Sequence, residues 1–324
     1  MKSKNIILEA QMSESTVTPS SLCRILSLDG GGAKGFYTLG VLKEIEALVG
    51  CLLYEKFDLI FGTSTGAIIA ALLALGYKVD QVHSLYKNHV PIIMKQRTAK
   101  GRSKALAHLA KDVFGDKKFT DVKTGIGIVA TRWQFEKPMI FKGSVEQSHG
   151  RHNTFVPGFG CKIADAIQAS CSAYPFFLKY IITTKMQGEV EVMDGGYCAN
   201  NPTLYAIADA LMALKKDRND LRVISIGVGE YPAPKYDWIT HKLRKLVSVQ
   251  LLQKTLNVNT NSMEQLREVL FKDIKTIRIS DTFEKPEMAT DLLESDLKKL
   301  NLLFQCGGES FAPHESKLKE YLIP

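Results

Sequence analysis

Apolar and polar positions follow two rhythms along this chain. Arg24-Ile-Leu-Ser-Leu-Asp29 is a short apolar run of strand length; after it Phe36, Leu39, Leu42, Ile45 and Leu48 recur at three-residue steps, the spacing of an amphipathic helix. The order then repeats. Phe57-Asp-Leu-Ile-Phe61 predicts a second strand, and residues 67–75 predict an Ala/Leu-rich helix closed by Gly76. Strand, glycine turn and helix, twice over, is the pattern of a parallel sheet covered on both faces. Residues 79–118 read as mostly helical, interrupted by Pro91 and a basic run. Residues 127–132 and 138–141 read as strands, 163–171 as a helix, and 180–184 with 189–193 as a hairpin around Met-Gln-Gly. A helix over 203–214 and a strand over 223–228, closed by Gly229, complete the main body. Residues 236–324 add helices around one more strand, 275–280. No linker or repeat divides the chain. The expected organisation is a Ser/Thr-rich flexible arm over 1–21, an α/β domain over 22–235 and a C-terminal helical extension over 236–324 packed on that domain.

Composition excludes several classes. With 45% hydrophobic and 23% charged residues, the chain is neither disordered nor collagenous. Its longest apolar run, residues 67–75, is about half of what a spanning helix needs. Ile6, Ile7 and Leu8 are too few for a secretory core, so the chain is expected to remain in the cytoplasm. Six scattered cysteines without a CxxC pair read as reduced thiols, and no His/Cys spacing points to a metal. The net charge of +8 is unevenly placed: residues 87–118 carry nine basic and two acidic side chains. A field of that kind recruits anions. Leu106, Leu109 and Val113 lie at helical spacing within it, so one face can be buried while Lys95, Arg97, Lys100, Arg102 and Lys104 present charge to a membrane or an anionic ligand. Aromatic residues are not interleaved with these charges, which argues against nucleic acid as a partner.

Two glycine-framed motifs carry the chemistry. Gly62-Thr63-Ser64-Thr65-Gly66 is a G-x-S-x-G between a predicted strand and helix, the context in which a serine is held on a tight turn with its hydroxyl exposed at the sheet edge. Gly62 and Gly66 then have a steric job, and the helix start favours negative charge at Ser64. Gly30-Gly31-Gly32-Ala33-Lys34-Gly35 fits two readings. Through Gly30, Gly32 and Gly35 it matches a dinucleotide fingerprint, yet the second strand delivers a serine where that fingerprint expects an acid. As an oxyanion hole it offers consecutive N–H groups at a helix start. Serine chemistry needs a base. None of the seven histidines lies in a glycine-framed loop, although an order of Ser…Asp…His would call on His241 or His314. Asp194 in Met193-Asp194-Gly195-Gly196, at a predicted strand end, is the stronger candidate.

In order and spacing, Asp29-Gly-Gly-Gly-Ala-Lys-Gly35, Gly62-Thr-Ser-Thr-Gly66, Ala169-Ser-Cys-Ser-Ala-Tyr-Pro175 and Asp194-Gly-Gly, followed by Ala199-Asn-Asn-Pro202, resemble the patatin-like phospholipases over roughly residues 22–230. The resemblance implies a three-layer α/β fold with a mostly parallel central sheet. It also implies a Ser64–Asp194 dyad without histidine, an oxyanion hole from the Gly31 and Gly32 amides, and a supporting role for Gly30, Lys34, Gly35, Gly62, Gly66, Gly195 and Gly196. The implied activity is calcium-independent cleavage of glycerolipid acyl esters, with membrane phospholipid as substrate and no cofactor. Tyr174 is an extra residue before Pro175 that would reshape the acyl pocket. A second resemblance, to compact bacterial phospholipase effectors of anti-phage signalling, implies a cyclic dinucleotide activator and peripheral action at the inner membrane surface. The sequence leaves open a constitutive lipase, a non-catalytic nucleotide-binding protein, and self-association into a homo-oligomer.

Overall fold

The computed structural model describes residues 22–232 and 247–323, so the expected N-terminal arm lies outside the described residues. The chain runs β1 (Cys23–Leu28), a 3₁₀ turn (Gly32–Lys34), α1 (Gly35–Val49), α2 (Leu53–Lys56), β2 (Leu59–Thr63), α3 (Thr65–Ala74), α4 (Val79–Met94) and α5 (Ala99–Phe114). Next come β3 (Gly125–Arg132), β4 (Lys137–Lys142), α6 (Ile163–Ser170), β5 (Tyr180–Thr184), β6 (Gly188–Asp194), α7 (Gly196–Ala199) and α8 (Thr203–Ala208). β7 (Leu221–Ile226), α9 (Val247–Leu270), β8 (Lys275–Ile279), α10 (Leu297–Phe311) and α11 (Glu315–Leu322) follow.

The strands form one eight-stranded sheet in the order β5-β6-β3-β2-β1-β7-β8, with β4 also paired to β3. β3, β2, β1, β7 and β8 are parallel; β4, β5 and β6 are antiparallel. Alternation along the parallel strands builds two cores. Leu26, Leu28 and Ile60 face α1, α3, α4 and α10, whereas Cys23, Ile25, Leu59 and Phe61 face Ala206 and Ile207 of α8. The result is the three-layer α/β architecture that the sequence predicts.

One feature of the register positions the site. β2 pairs with β3 up to Thr63 opposite Val129, and β6 pairs with the next residues of β3, placing Asp194 opposite Ala130. The other edge of β3 over these residues belongs to β4. β2 and β6 therefore share one lane of the sheet and run toward each other, so that their C-terminal ends meet.

Two expectations change. Pro91 does not break the helix: it is buried inside α4, where the carbonyl it frees lies on the exposed flank around Lys87, and the break falls at residues 95–98. The C-terminal segment is also more than a helical extension. β8 hydrogen-bonds along β7 as the outermost parallel strand, and α10 packs on the α1 layer.

Candidate active site

At the end of β2 the chain turns abruptly into α3. Ser64 occupies the turn with φ 53° and ψ −121°, a strained region for a residue with a side chain. A Cβ at Gly62 would collide with the Gly66 carbonyl, and one at Gly66 with the carbonyls of Leu28 and Asp29, so the elbow closes only around two glycines. The Ser64 carbonyl accepts the Ala67 and Ile68 N–H groups, and its own N–H donates to Ser170 Oγ at 2.9 Å.

Asp194 ends β6 and is 2% exposed. Its carboxylate shares the cavity wall with Ser64, whose hydroxyl favours the ionised form, and accepts the Gly196 N–H at 2.7 Å. Burial outweighs these bonds and raises its pKa from 3.8 to about 6. Residues 170–172 brace both partners: Ser170 Oγ donates to Val129 O at 2.6 Å, Gly195 N–H donates to Ser170 O, and Asp194 N–H donates to Ser172 O. Cys171 also lies beside Ser64, but burial pushes its thiol well above the ordinary range, so it stays protonated at neutral pH.

The glycine loop lies on the other side of Ser64. Gly30 N–H donates to Asn200 O, Ala33 N–H to Leu292 O and Lys34 N–H to Gly31 O; between them, the Gly31 and Gly32 amides have no loop or turn partner among the described residues. Asp29, 2% exposed, is held by the two terminal guanidinium nitrogens of Arg278 from β8. Burial pushes the Lys34 ammonium below the usual lysine range, and it lies 6.0 Å from the Tyr231 ring centroid.

Gly31, Gly32, Ser64 and Asp194 line a single cavity of about 60 Å³. Apart from Thr65 and Asn200 its remaining walls are apolar, from Ile68 of α3, Val90 and Ile93 of α4, Leu106 and Leu109 of α5, and Phe176 and Phe177. Leu256 of α9 and Leu292 close it from the C-terminal segment. Among the described residues no histidine lines it; His314 lies in the turn before α11, and His241 is outside the described residues. Tyr174 does not shape the cavity as expected: it is 47% exposed, and Ala173, Phe176 and Phe177 form that wall.

Lys95, Arg97, Lys100 and Lys104 are exposed on the outer side of the cavity wall, whereas Arg102 differs. Its guanidinium donates to Phe176 O at 2.8 Å and to Gln96 O, so it ties α5 to the loop behind the cavity. Ser170 stands in the 169–175 motif without a role that the sequence assigns, while Arg278 and the α9 contacts stand in no motif.

A strained serine beside a buried carboxylate, with free amides opposite and apolar walls around them, defines a serine hydrolase of carboxylic esters. The patatin-like phospholipase family model matches residues 26–207, and the chain belongs to that family. It is 65% identical over 317 residues to a cUMP-AMP-activated phospholipase of Escherichia coli, covering 95% of this chain and 99% of the relative. A cGAMP-activated phospholipase of Vibrio cholerae is 27% identical over 234 residues, 63% of each chain. The crystal structure of VipD from Legionella pneumophila shares the fold at a TM-score of 0.50 and 13% identity, covering 92% of this chain and 67% of that one.

Proposed function

We propose that this protein is a phospholipase in which Ser64 is the nucleophile and Asp194 the general base, and that a cyclic dinucleotide switches it on. The observation that carries the dyad is the head-to-head meeting of β2 and β6, which sets the Ser64 hydroxyl against a carboxylate of pKa about 6 at the base of an apolar cavity. Asp194 takes the Ser64 proton as the oxygen attacks the acyl carbonyl. The Gly31 and Gly32 amides receive the oxyanion. The intermediate collapses to acyl-Ser64, and the lysolipid alkoxide leaves with the proton from Asp194. Asp194 then draws a proton from water as the water oxygen attacks the acyl carbon; the bond to Ser64 Oγ breaks, Oγ takes the proton back from Asp194, and the fatty acid leaves. A pKa near 6 suits a group that both accepts and returns a proton near neutrality.

The substrate reading rests on the family and on the apolar walls. Lys95, Arg97, Lys100 and Lys104 lie outside those walls, where they would hold an anionic bilayer against the cavity. Arg102 is left out of that contact because it braces the wall itself. No helix of the described residues is long and apolar enough to cross a membrane, so the enzyme would act peripherally, at the inner surface if the chain remains in the cytoplasm. Control by a cyclic dinucleotide comes from the 65% identical relative, and degrading membrane on such a signal is the logic of the anti-phage effectors that the chain resembles.

The test is fatty-acid release from anionic phospholipid vesicles by the purified protein, with and without cUMP-AMP and other cyclic dinucleotides. Release that rises steeply with cUMP-AMP is expected. Equal release without any nucleotide would establish the constitutive alternative, and no release under any condition would overturn the substrate reading.

A further inference from the structure

Asn200 is 6% exposed and joins the two loops that flank Ser64. Its carbonyl accepts the Gly30 N–H at 3.0 Å, and its side-chain amide donates to Gly30 O at 3.2 Å, so both polar groups of Gly30 are taken by one residue. That residue is held in turn by α9, which lies beyond the segment matched by the family model. Asn259 Oδ1 accepts the Asn200 N–H at 2.8 Å while Asn259 Nδ2 donates to Cys198 O at 3.1 Å. Thr260 Oγ1 accepts from Asn200 Nδ2 at 2.7 Å. One turn earlier, Leu256 packs where a Cβ on Gly196 would lie, 2.6 Å from its Cδ2.

We infer that Asn259 and Thr260 are positioning residues that, acting through Asn200, fix the glycine-loop amides relative to Ser64 and Asp194. The inference rests on the dyad reading above. Asn200 Nδ2 has two acceptors, Gly30 O on the loop and Thr260 Oγ1 on the helix. Without the second, only the longer bond to Gly30 O orients the side chain, and Gly30 is held less firmly one residue before the oxyanion amides. A displacement of about 1 Å at such a point costs on the order of a hundredfold in rate. Neither Asn259 nor Thr260 lines the cavity, so substrate binding is not their task.

The test compares Thr260→Val, which keeps the shape and removes the acceptor, with Thr260→Ser, which keeps the acceptor. Asn259→Ala is a second, independent disruption. Each is assayed on p-nitrophenyl butyrate with cUMP-AMP present, beside wild type and Ser64→Ala, with thermal unfolding of every variant. Thr260→Val and Asn259→Ala should lower kcat roughly tenfold to a hundredfold with little change in KM. Thr260→Ser should recover most of that loss, and unfolding midpoints should stay near wild type. Undiminished kcat in Thr260→Val or Asn259→Ala, or a fall that Thr260→Ser fails to rescue, would overturn the positioning role. If Thr260→Val does not fold, Asn259→Ala decides alone. Turnover retained by Ser64→Ala would instead overturn the dyad reading.

Discussion

Asp194 lies in the wall of an apolar cavity, and burial lifts its pKa from 3.8 to about 6. In the proposed dyad only the ionised form takes the Ser64 proton, so kcat/KM on a soluble ester should rise with pH through about 6 and level off above it. The same shift bears on stability with a defined sign. A carboxyl whose folded pKa is raised contributes stability below its unfolded pKa, and that contribution is lost as pH rises through about 6. At neutral pH the ionised Asp194 therefore burdens the fold. Asp194→Asn keeps an oxygen for the Gly196 N–H and removes the charge; it should raise the unfolding midpoint while lowering turnover roughly 10⁴-fold or more, as Ser64→Ala does. Calorimetry and ester kinetics on the same preparation check both. Ser64, Asp194 and the glycines were legible in the sequence because short motifs and strand ends announce them. The raised pKa was not, because it depends on apolar walls from α3, α4 and α5 that meet only in the folded chain.

At the scale of elements, the shared lane of β2 and β6 brings together two residues 130 positions apart in the chain. The repeated strand–turn–helix order was legible from apolar spacing. The meeting of strand ends was not, because register across β3 leaves no mark in either strand alone. The same limit hid the joint between the glycine loop and the C-terminal segment. Arg278 of β8 grips the buried Asp29, and removing one partner of a buried pair costs about 3–5 kcal/mol. Arg278→Met should therefore destabilise the whole domain, measured as a lower denaturant midpoint, although residue 278 is far from Ser64 in sequence. Gly32 has φ +58°, and a Cβ there would lie 2.5 Å from Leu292 O. Gly32→Ala should strain this joint, displace an amide of the proposed oxyanion hole and lower turnover by roughly 10²–10³. Turnover equal to wild type would move the oxyanion site elsewhere. On α9, Asn259 and Thr260 read as ordinary solvated helix positions, since nothing in their neighbours says that an asparagine 59 residues earlier will meet them.

For the molecule as a whole, charge and cavity share two helices. α4 and α5 face the cavity with Val90, Ile93, Leu106 and Leu109, while Lys95, Arg97, Lys100 and Lys104 at and between their adjoining ends face outward. Composition revealed the concentration of charge in residues 87–118 but not that Arg102 had been withdrawn from it to hold Phe176 O. Reversing Lys95, Lys100 and Lys104 to Glu should remove at least about 3 kcal/mol of attraction to an anionic surface at low salt. Activity on anionic vesicles should fall steeply, turnover of a soluble ester should hold, and added salt should shrink the difference. Equal loss on both substrates would assign these lysines to the fold instead. The chemistry of the whole molecule depends on which serine is activated and by what. The most direct measurement is labelling by a small fluorophosphonate probe at neutral pH, located by peptide mass spectrometry, in wild type and Asp194→Asn with cUMP-AMP present. The label should fall on Ser64 in wild type and form far more slowly in Asp194→Asn. A label on another residue, or an undiminished rate on Ser64 without the carboxylate, would contradict the Ser64–Asp194 dyad.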